Sequence, residues 1–263
     1  MSIVILIHSS KTMRAVTSTT PTTTPLLIDK IEPLAAYIQT LSLMQIQKIM
    51  AVSETLARKT SETWETWSNK PDIQSLAIDS FIGDIYSGLQ AHTLSPQERE
   101  YAQQTLRILS GLYGILRPYD GVCPYRLEMG YKLPDTPYSN LYRYWGTDIA
   151  KTLPHEGLIV NLSAVEYTKT VLPYVDKNRV VAPRFLTKDP KTGAPKQVIV
   201  HTKIARGAFA RWLIQSRITE ADELVKFNAL NYRYSPSLST PTEPVFICET
   251  FGGIGLSMRL QKT

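Results

Sequence analysis

The chain has 263 residues, of which 43% are hydrophobic and 20% are charged. This balance is typical of a folded globular protein and excludes a disordered or fibrous chain. Lysine and arginine number 29 against 23 acidic residues, a net charge of +6 that favours polyanionic partners only weakly. The longest apolar run, Ile3–Ile7, is too short to span a membrane. Cys123 and Cys248 lack metal-ligand spacing and predict reduced thiols in a cytoplasmic protein.

The first part of the chain predicts one strand, a polar loop and several helices. Ser2–Ile7 is a largely aliphatic run that ends at a polar break, which is typical of a buried strand. Thr17–Pro25 has too few apolar residues to pack and predicts a linker or a mobile surface loop. Residues 28–68 follow a helical period, and Ser42 with Gln45 predicts a capping box, a reciprocal pair of bonds at a helix start.

The rest of the chain mixes strands and helices without regular alternation. The predicted elements are a helix from Ser95 to about Arg107, a helix over 140–153, a strand over Leu158–Leu162, a hairpin of Arg179–Lys188 with Pro195–His201, helices over Lys203–Arg217 and Thr219–Asn228, and a strand over Val245–Glu249. This mixture predicts an α+β or mixed α/β fold, in which helices surround a mixed β-sheet. We expect a single domain over residues 1–263.

Leu109–Gly130 is rich in glycine, proline, tyrosine and arginine and has little helical or strand period. Such a segment is expected to present groups to a partner rather than to fill a core. Arg117 and Arg126 offer planar donor forks for phosphate or carboxylate, and Tyr125 offers a ring and a hydroxyl. The glycine spacing of LSGLYGIL is that of a helix-hairpin-helix turn, which contacts DNA phosphates. The same spacing also describes a strand that passes close to another backbone.

Two polar turns follow the predicted strands at 2–7 and 158–162. His8–Thr12 offers hydroxyls and Lys11 to an anion, at the strand end where α/β sheets place ligands. The second turn carries Asn161, Glu166, Tyr167 and Lys169. These groups can perform general acid–base chemistry, or they can form a buried polar network that fixes the turn. If both strands share one sheet, Lys11 lies near Glu166.

A third group of candidates lies on the predicted amphipathic helix. Lys203, Arg206 and Arg211 are its basic residues, and Gly207 leaves room for a phosphate or a backbone to approach. The alternative is an ordinary solvated basic face. The four histidines are scattered without metal-ligand spacing, so we predict neither a metal nor a cofactor.

Five further segments fall in the order of one known family: HSSKTM at His8–Met13, GDIYSGL at Gly83–Leu89, LYRYWG at Leu141–Gly146, NLSAVEYTK at Asn161–Lys169 and KIARGAFARWLIQSRI at Lys203–Ile218. Over about residues 1–235 the chain resembles the YaaA family, whose members are associated with resistance to peroxide stress. It departs from the family pattern at Ser9-Ser10, where the family has Pro-Ala, and at Val165, where it has an acid. The tail over 236–263 resembles nothing we can place.

The resemblance implies a cytoplasmic DNA-binding protein of the peroxide stress response, which protects DNA or limits free iron, with a helix-hairpin-helix element. The residues also support an alternative, an enzyme acting on a nucleotide, a nucleoside or another small anionic metabolite in a basic cleft. Its catalytic candidates are Lys11, Glu166, Tyr167 and Lys169. The candidates for binding an anion or nucleic acid are Lys11, Arg117, Tyr125, Arg126, Asn161, Lys203, Arg206 and Arg211. The expected partner is DNA or a phosphate-bearing small molecule, and an enclosed pocket or an open groove would distinguish the two.

Overall fold

The structure is a computed structural model and describes residues 2–70 and 73–253. Its helices are α1 (Ile28–Gln39), α2 (Leu43–Met50), α3 (Glu54–Glu65), α4 (Ala77–Ser80), α5 (Asp84–Leu89), α6 (Pro96–Thr105), α7 (Leu141–Trp145), α8 (Asp148–Lys151), α9 (Val165–Thr168) and α10 (Ile199–Ser216). Its strands are β1 (Ile3–His8), β2 (Thr12–Met13), β3 (Ser75–Leu76), β4 (Phe81–Ile82), β5 (Leu106–Ser110), β6 (Gly114–Leu116), β7 (Gly121–Val122), β8 (Lys132–Leu133), β9 (Ser139–Asn140), β10 (Leu158–Asn161), β11 (Val180–Val181), β12 (Arg184–Lys188), β13 (Pro195–Lys196), β14 (Arg233–Tyr234) and β15 (Val245–Cys248). The predicted mixed class is confirmed. None of the helices in the described ranges combines the length and the apolar composition that crossing a membrane requires.

A five-stranded sheet with the order β11-β10-β1-β5-β6 lies at the centre of the molecule. All six residues of its middle strand, β1, are buried. This strand runs parallel to β10, with Ile5 opposite Val160, and parallel to β5, with Ile5 opposite Leu106. β6 is antiparallel to β5, which makes the sheet mixed. The prediction that the first strand and the strand at 158–162 lie in one sheet is confirmed, and the two are direct neighbours.

A second sheet has the order β13-β12-β15-β14. β12 and β13 form the predicted hairpin, but both of its strands are shorter than predicted. The first begins only at Arg184, because 180–181 form β11 of the first sheet, and the second covers only Pro195–Lys196. The prediction that this strand continues to His201 is wrong, because α10 begins at Ile199. β15 confirms the predicted late strand and pairs in parallel with β12.

The described part of the 236–263 tail belongs to this second sheet. β15 lies between β12 and β14, so the tail is tied to the body by backbone hydrogen bonds on both sides. The remainder of the tail, residues 254–263, lies outside the described residues.

The predicted helix starts at Ser42 and Ser95 are confirmed, the helix predicted from Lys203 begins four residues earlier at Ile199, and two other predicted helices differ in the structure. Ser42 starts α2 and Ser95 starts α6, each through a reciprocal capping box. Residues 140–153 form two short helices, because α7 ends at Gly146 with a φ of +50°. The predicted helix over Thr219–Asn228 is a 3-10 helix over 221–226 without a side-chain cap.

The segment Leu109–Gly130 lies largely inside the protein, so the prediction that it presents its groups to a partner is wrong for most of it. Every residue from 109 to 129 is buried or half-buried. β5 and β6 form a β-hairpin where a helix-hairpin-helix element was predicted. At Gly111 a Cβ would lie 2.3 Å from the Leu127 carbonyl oxygen. The glycine spacing therefore matches the alternative, a backbone that passes close to another.

The helix α10 is confirmed in position, but it is a central buried helix and not an amphipathic surface helix. It crosses α5 closely at one glycine of each helix, Gly207 of α10 and Gly88 of α5, and each glycine lies against the backbone of the other helix. A Cβ on Gly207 would lie 1.8 Å from the Ile85 carbonyl oxygen, and one on Gly88 would lie 2.0 Å from that of Ile204. Gly207 thus leaves room for the backbone of α5, and not for a phosphate, to approach closely.

This crossing predicts the effect of Gly207→Ala. The added methyl group meets backbone atoms that cannot rotate away, so we expect a loss of about 3 kcal/mol or more in the free energy of unfolding. Urea unfolding followed by circular dichroism measures the loss. Gly193→Asn is the control, since nothing lies within 4 Å of that Cβ position and asparagine tolerates its left-handed backbone. Equal stability of the two variants would contradict the close crossing.

Candidate functional site

A cleft of about 420 Å³ opens at the carboxyl ends of β1 and β10. At this edge of a parallel sheet the turns that follow neighbouring strands meet, and open α/β sheets place ligands here. The cleft is lined by His8–Thr12, Ile82–Tyr86, Glu128, Ala164, Glu166, Tyr167 and Lys203. Of the residues that the sequence predicts for a site, Lys11, Glu166, Tyr167 and Lys203 therefore meet in one place.

The turn after β1 is held in position by two neighbouring strands. The Ser9 N–H donates a hydrogen bond of 2.8 Å to the Leu109 carbonyl of β5. The Ser10 hydroxyl donates to the Ile82 carbonyl of β4. The ammonium of Lys11 then reaches Glu128 at 3.1 Å. The Lys11 side chain is 61% exposed, so this ion pair lies at the rim of the cleft and contributes little to stability.

His8, the last residue of β1, is a buried and neutral histidine. Its Nδ1 accepts a hydrogen bond of 3.1 Å from the Ala164 N–H and lies 3.3 Å from the Ser163 hydroxyl. Burial, followed by the positive charges of Arg206 and Lys203, lowers the pKa of His8 to about 3. Because Nδ1 accepts a bond from a backbone N–H, the ring hydrogen is on Nε2.

Tyr167 contacts both His8 and Ser9 in the cleft. Its ring stacks on His8 with centroids 4.9 Å apart, and the Ser9 hydroxyl donates to its phenol oxygen at 3.4 Å. Burial raises the pKa of Tyr167, and the charges of Glu166 and Glu128 raise it further. The phenol therefore stays protonated and can donate a hydrogen bond at neutral pH.

Glu128 and Glu166 form what we call the carboxylate side of the cleft, and the two are bound differently. Besides its ion pair with lysine, Glu128 accepts a bond of 2.9 Å from the Tyr131 hydroxyl and lies 3.9 Å from the Arg126 guanidinium. Glu166 accepts a bond of 2.8 Å from the Gly130 N–H. No other described residue donates to Glu166, so one of its oxygens is available to a ligand.

Lys203 lines the cleft together with His8, whereas Arg206, three residues further along α10, does not line it. The two cations lie on one helix face. The Lys203 ammonium shares the cleft with the carboxylates of Asp84, Glu128 and Glu166. The Nε of Arg206 is buried and has no partner among the described residues. Burial lowers the pKa of Arg206, because a charged group is disfavoured away from water.

Two residues predicted to bind an anion instead hold the fold together. Arg117 donates two bonds to the buried carboxylate of Asp120, at 2.8 and 3.1 Å, and a third to the Thr24 carbonyl. Tyr125 lies in the core, where its hydroxyl is 2.6 Å from that of Ser110. Burial raises the pKa of Tyr125 to about 12. Neither side chain lines the cleft.

Five further predicted residues also lie outside the cleft lining: Arg126, Asn161, Lys169, Arg206 and Arg211. The Asn161 side chain accepts the Ser163 N–H at 3.0 Å and so closes the turn after β10. The ammonium of Lys169 lies 5.6 Å from the centre of the Tyr142 ring. Arg211 donates to the carbonyls of Leu89 and Gln90, at the C-terminal end of α5, at 3.3 and 3.1 Å. The predicted basic face of α10 is thus partly used for binding its neighbouring helix.

Several polar residues of the cleft were missing from the predicted catalytic and binding residues: His8, Ser9, Ser10, Thr12, Asp84, Tyr86 and Glu128. The place of His8 at the carboxyl end of the first predicted strand was a usable signal, since the next residues were already candidates. Glu128 gave no such signal, because only the fold brings its loop to Lys11.

Other parts of the described chain offer weaker candidates. A depression of about 650 Å³ lies against the second sheet, but its Lys188 and Glu249 bind each other at 2.6 Å. There Arg233 donates to the Asn228 carbonyl at 2.9 Å, so its charges are satisfied by the protein. Within residues 2–70 and 73–253, no three His, Cys, Asp or Glu side chains lie close enough to hold a metal ion.

Comparison with known proteins agrees with the motifs of the sequence. The family model described as peroxide stress protein YaaA matches residues 3–238. A UPF0246 protein of Salinispora tropica is 54% identical over 257 residues, which cover 97% of this chain and 98% of the relative. UPF0246 proteins of Ruegeria pomeroyi and Roseobacter denitrificans are 40% and 39% identical, each over 86% of this chain and 91% of the relative. The match to the Salinispora protein reaches into the 236–263 tail.

The neutral state of His8 predicts a pH dependence of stability. As the pH falls below 6.5, His8 takes up a proton in the unfolded chain but not in the folded one, whose pKa is about 3. Stability is therefore intact above pH 6.5 and falls below it, by about 2 kcal/mol at pH 5. In His8→Asn, whose amide oxygen can still accept the Ala164 N–H, this part of the loss is absent. Thermal unfolding of both proteins from pH 7 to 5 measures the difference in this loss. If the stability of both proteins falls equally with pH, folded His8 titrates normally.

Proposed function

Since the chain belongs to the family of the peroxide stress protein YaaA, we propose that it serves the response to peroxide by acting on a small anionic metabolite of nucleotide or nucleoside size. The metabolite binds in the cleft at the carboxyl ends of β1 and β10, and Glu166 supplies the acid–base chemistry. One observation carries this proposal: Glu166, a carboxylate with an oxygen available to a ligand, and the ammonium of Lys203 line the same cleft.

The dimensions of the cleft support a small ligand. Its volume of about 420 Å³ falls in the range of about 300–1,000 Å³ that is typical of small-molecule sites. Binding to duplex DNA instead requires an open basic surface that follows phosphates over several base pairs. Arg117 and Arg211, two of the arginines that would form such a surface, donate to acceptors of the protein.

The different environments of the two glutamates assign the chemistry to Glu166. Glu128 accepts from Lys11 and Tyr131 and thereby positions the rim of the cleft. Glu166 is oriented by one backbone N–H and keeps an oxygen for a proton of the ligand, as a general base must. The protonated phenol of Tyr167, the next residue, can donate to an oxygen of the same ligand.

A second candidate is binding to DNA, which the family resemblance implies together with the protection of DNA or the limitation of free iron. The excess of basic over acidic residues, 29 against 23, favours it. This function would use the same protein surface through phosphate contacts that depend strongly on salt and weakly on sequence.

One pair of measurements separates the two candidates. Thermal unfolding is followed with nucleosides, nucleoside phosphates and sugar phosphates, and binding of a labelled duplex is measured at about 50 and 200 mM salt. We expect stabilisation by a member of the small-molecule set and weak duplex binding that the higher salt abolishes. Tight duplex binding without stabilisation by any small molecule would support the DNA candidate instead.

Glu166→Gln tests the chemical role directly. The change keeps the shape and the oxygen that accepts the Gly130 N–H, so we expect stability to change by less than about 0.5 kcal/mol. Turnover of the metabolite identified above should fall by about 10²–10⁴-fold, since a general acid or base contributes that much. Phosphorus or proton NMR of the reaction mixture follows the turnover.

The control for this variant is Glu32→Gln, an equal loss of charge at an exposed position of α1. It should keep full turnover. If Glu166→Gln turns over as fast as this control, Glu166 is not the base. If it unfolds several degrees earlier with unchanged turnover, the carboxylate has a structural role.

A further inference from the structure

A series of buried hydroxyl groups holds the phenol of Tyr167 in the cleft. The phenol oxygen accepts a hydrogen bond of 3.4 Å from the hydroxyl of Ser9, a residue that is 6% exposed. Burial raises the pKa of Tyr125, and hydrogen bonds with the hydroxyls of Ser110 and Ser9 act against it. The Ser110 hydroxyl lies 2.6 Å from that of Tyr125 and accepts the Tyr113 N–H at 2.9 Å. Ser110, Tyr125, Ser9 and Tyr167 thus form what we call the hydroxyl chain, which leads from the core to the cleft.

The hydroxyl chain has a direction, because each hydroxyl carries only one hydrogen. The hydrogen bonds of the described residues give the Ser110 hydrogen one acceptor, Tyr125. Tyr125 then donates to Ser9, and Ser9 donates to Tyr167. In this arrangement every buried hydroxyl of the chain both donates and accepts. The hydrogen of Tyr167 comes last, and it is directed toward the cleft that Tyr167 lines.

The charges of the cleft favour a neutral acceptor for this hydrogen. The lining carries three carboxylates and two ammonium groups, on Asp84, Glu128, Glu166, Lys11 and Lys203. These charges largely offset each other and do not select an ion of one sign. A carbonyl oxygen accepts a hydrogen bond without carrying a charge. Burial raises the pKa of Tyr167, and the bond from Ser9 acts against it, so the phenol donates its hydrogen without giving it up.

We propose that Ser9 is a positioning residue for Tyr167, and that the cleft acts on compounds that carry a hydrogen on the carbon next to a carbonyl group. The Tyr167 hydroxyl donates to the carbonyl oxygen. Glu166, the preceding residue in α9, lines the same cleft with an oxygen available to the ligand. A carboxylate base beside a protonated hydrogen-bond donor is an arrangement by which enzymes remove such hydrogens as protons. This inference rests on the proposed function and names its substrate class.

The step is a proton transfer that needs no further reactant. Glu166 takes the proton from the carbon, and the electron pair of the broken C–H bond forms a C=C bond. The π electron pair of the carbonyl moves to its oxygen, and the hydrogen bond from Tyr167 stabilises this enolate oxygen. Protonated Glu166 then returns the proton to a carbon of the enolate. In D2O the returned proton is a deuteron, so the step labels the compound even without net turnover.

The test uses the full-length protein in D2O with defined probes. The probes are anionic carbonyl compounds of metabolite size: 2-oxoglutarate, dihydroorotate and ribulose 5-phosphate. Proton NMR follows the loss of the hydrogen next to the carbonyl. Glycerol 3-phosphate, an anion without a carbonyl group, and buffer without protein are the controls. We expect exchange in at least one carbonyl compound, faster than in buffer, and none in glycerol 3-phosphate.

Variants of the two residues test the role of each hydroxyl. Tyr167→Phe keeps the ring that stacks on His8 and should lower the exchange rate at saturation by about 10²–10³-fold, as the loss of one donor to an oxyanion does. Ser9→Ala should lower it by about 10–100-fold with little change in the half-saturating concentration, because the direction of the phenol matters most when charge develops. Ser9→Thr keeps the hydroxyl and should restore most of the rate. Ser239→Ala, which removes a bonded hydroxyl beside β15, should keep the full rate.

A double variant separates positioning from a general effect on the fold. In Tyr167→Phe no hydroxyl remains to be directed, so adding Ser9→Ala should cause no further loss of rate. An equal loss in both backgrounds overturns the positioning role, and so does a Ser9→Ala protein as active as Ser239→Ala. Where Ser9→Ala does not fold, Ser9→Cys, a weaker donor of similar size, gives the same comparison.

The outcomes separate this inference from the function on which it rests. If none of the carbonyl compounds exchanges, the substrate class is overturned, while stabilisation by a nucleoside, a nucleoside phosphate or a sugar phosphate still supports the proposed function. If no small molecule stabilises or binds the protein, the proposed function fails as well.

Discussion

The parallel pairing of β1 with two neighbours determines where the cleft lies. Ile5 pairs with Val160 on one side and with Leu106 on the other, and the whole strand is buried. In a parallel pair the strands end at the same edge, so the turn at Ser9 and the turn after Asn161 leave the sheet side by side. Every cleft residue near these turns depends on that register. A slip of one residue would reverse which side chains face the core.

The same constraint explains why His8 is neutral. As the last residue of the central strand it is buried, and burial disfavours a charged ring. The two cations of α10 act in the same direction, and the bond from the Ala164 N–H specifies the tautomer. β1 thus supplies an uncharged donor beside two charged ones. The crossing of α10 with α5, which requires glycine at both contact points, holds those cations at the end of the sheet.

The sequence predicts the elements of this fold whose signals are local. The aliphatic run of β1, the capping boxes at Ser42 and Ser95 and the position of α10 could all be predicted, because each depends on neighbouring residues. That β1 and β10 share one sheet could also be predicted, because both are continuous apolar runs of the kind found in buried parallel sheets. For the same reason, the sequence could predict that Lys11 and Glu166 lie close to each other.

The failures concern contacts between distant parts of the chain. Tyr125 has the composition of a binding residue, yet it packs against Trp64 and Phe81, which the sequence of its own loop does not reveal. The glycine spacing at 109–114 fits a helix-hairpin-helix turn and a β-hairpin equally well, and the choice is made by the pairing of β5 with β1. The contact of Glu128 with Lys11 arises from tertiary structure alone, so no local pattern announces it.

Two of the three positions at which this chain departs from the family pattern, Ser9 and Ser10, line the cleft. Ser9 donates to the phenol of Tyr167, and Ser10 bonds to a carbonyl of β4; proline and alanine at these positions would remove both hydroxyls. At Val165 an acid is replaced by an apolar residue that is 72% exposed, directly before Glu166. Val165 does not line the cleft, so this change alters the exposed surface next to Glu166 without disturbing the core. The two serines, by contrast, hold the turn after β1 through their hydroxyls, so polar groups of the cleft can vary on a scaffold that stays the same.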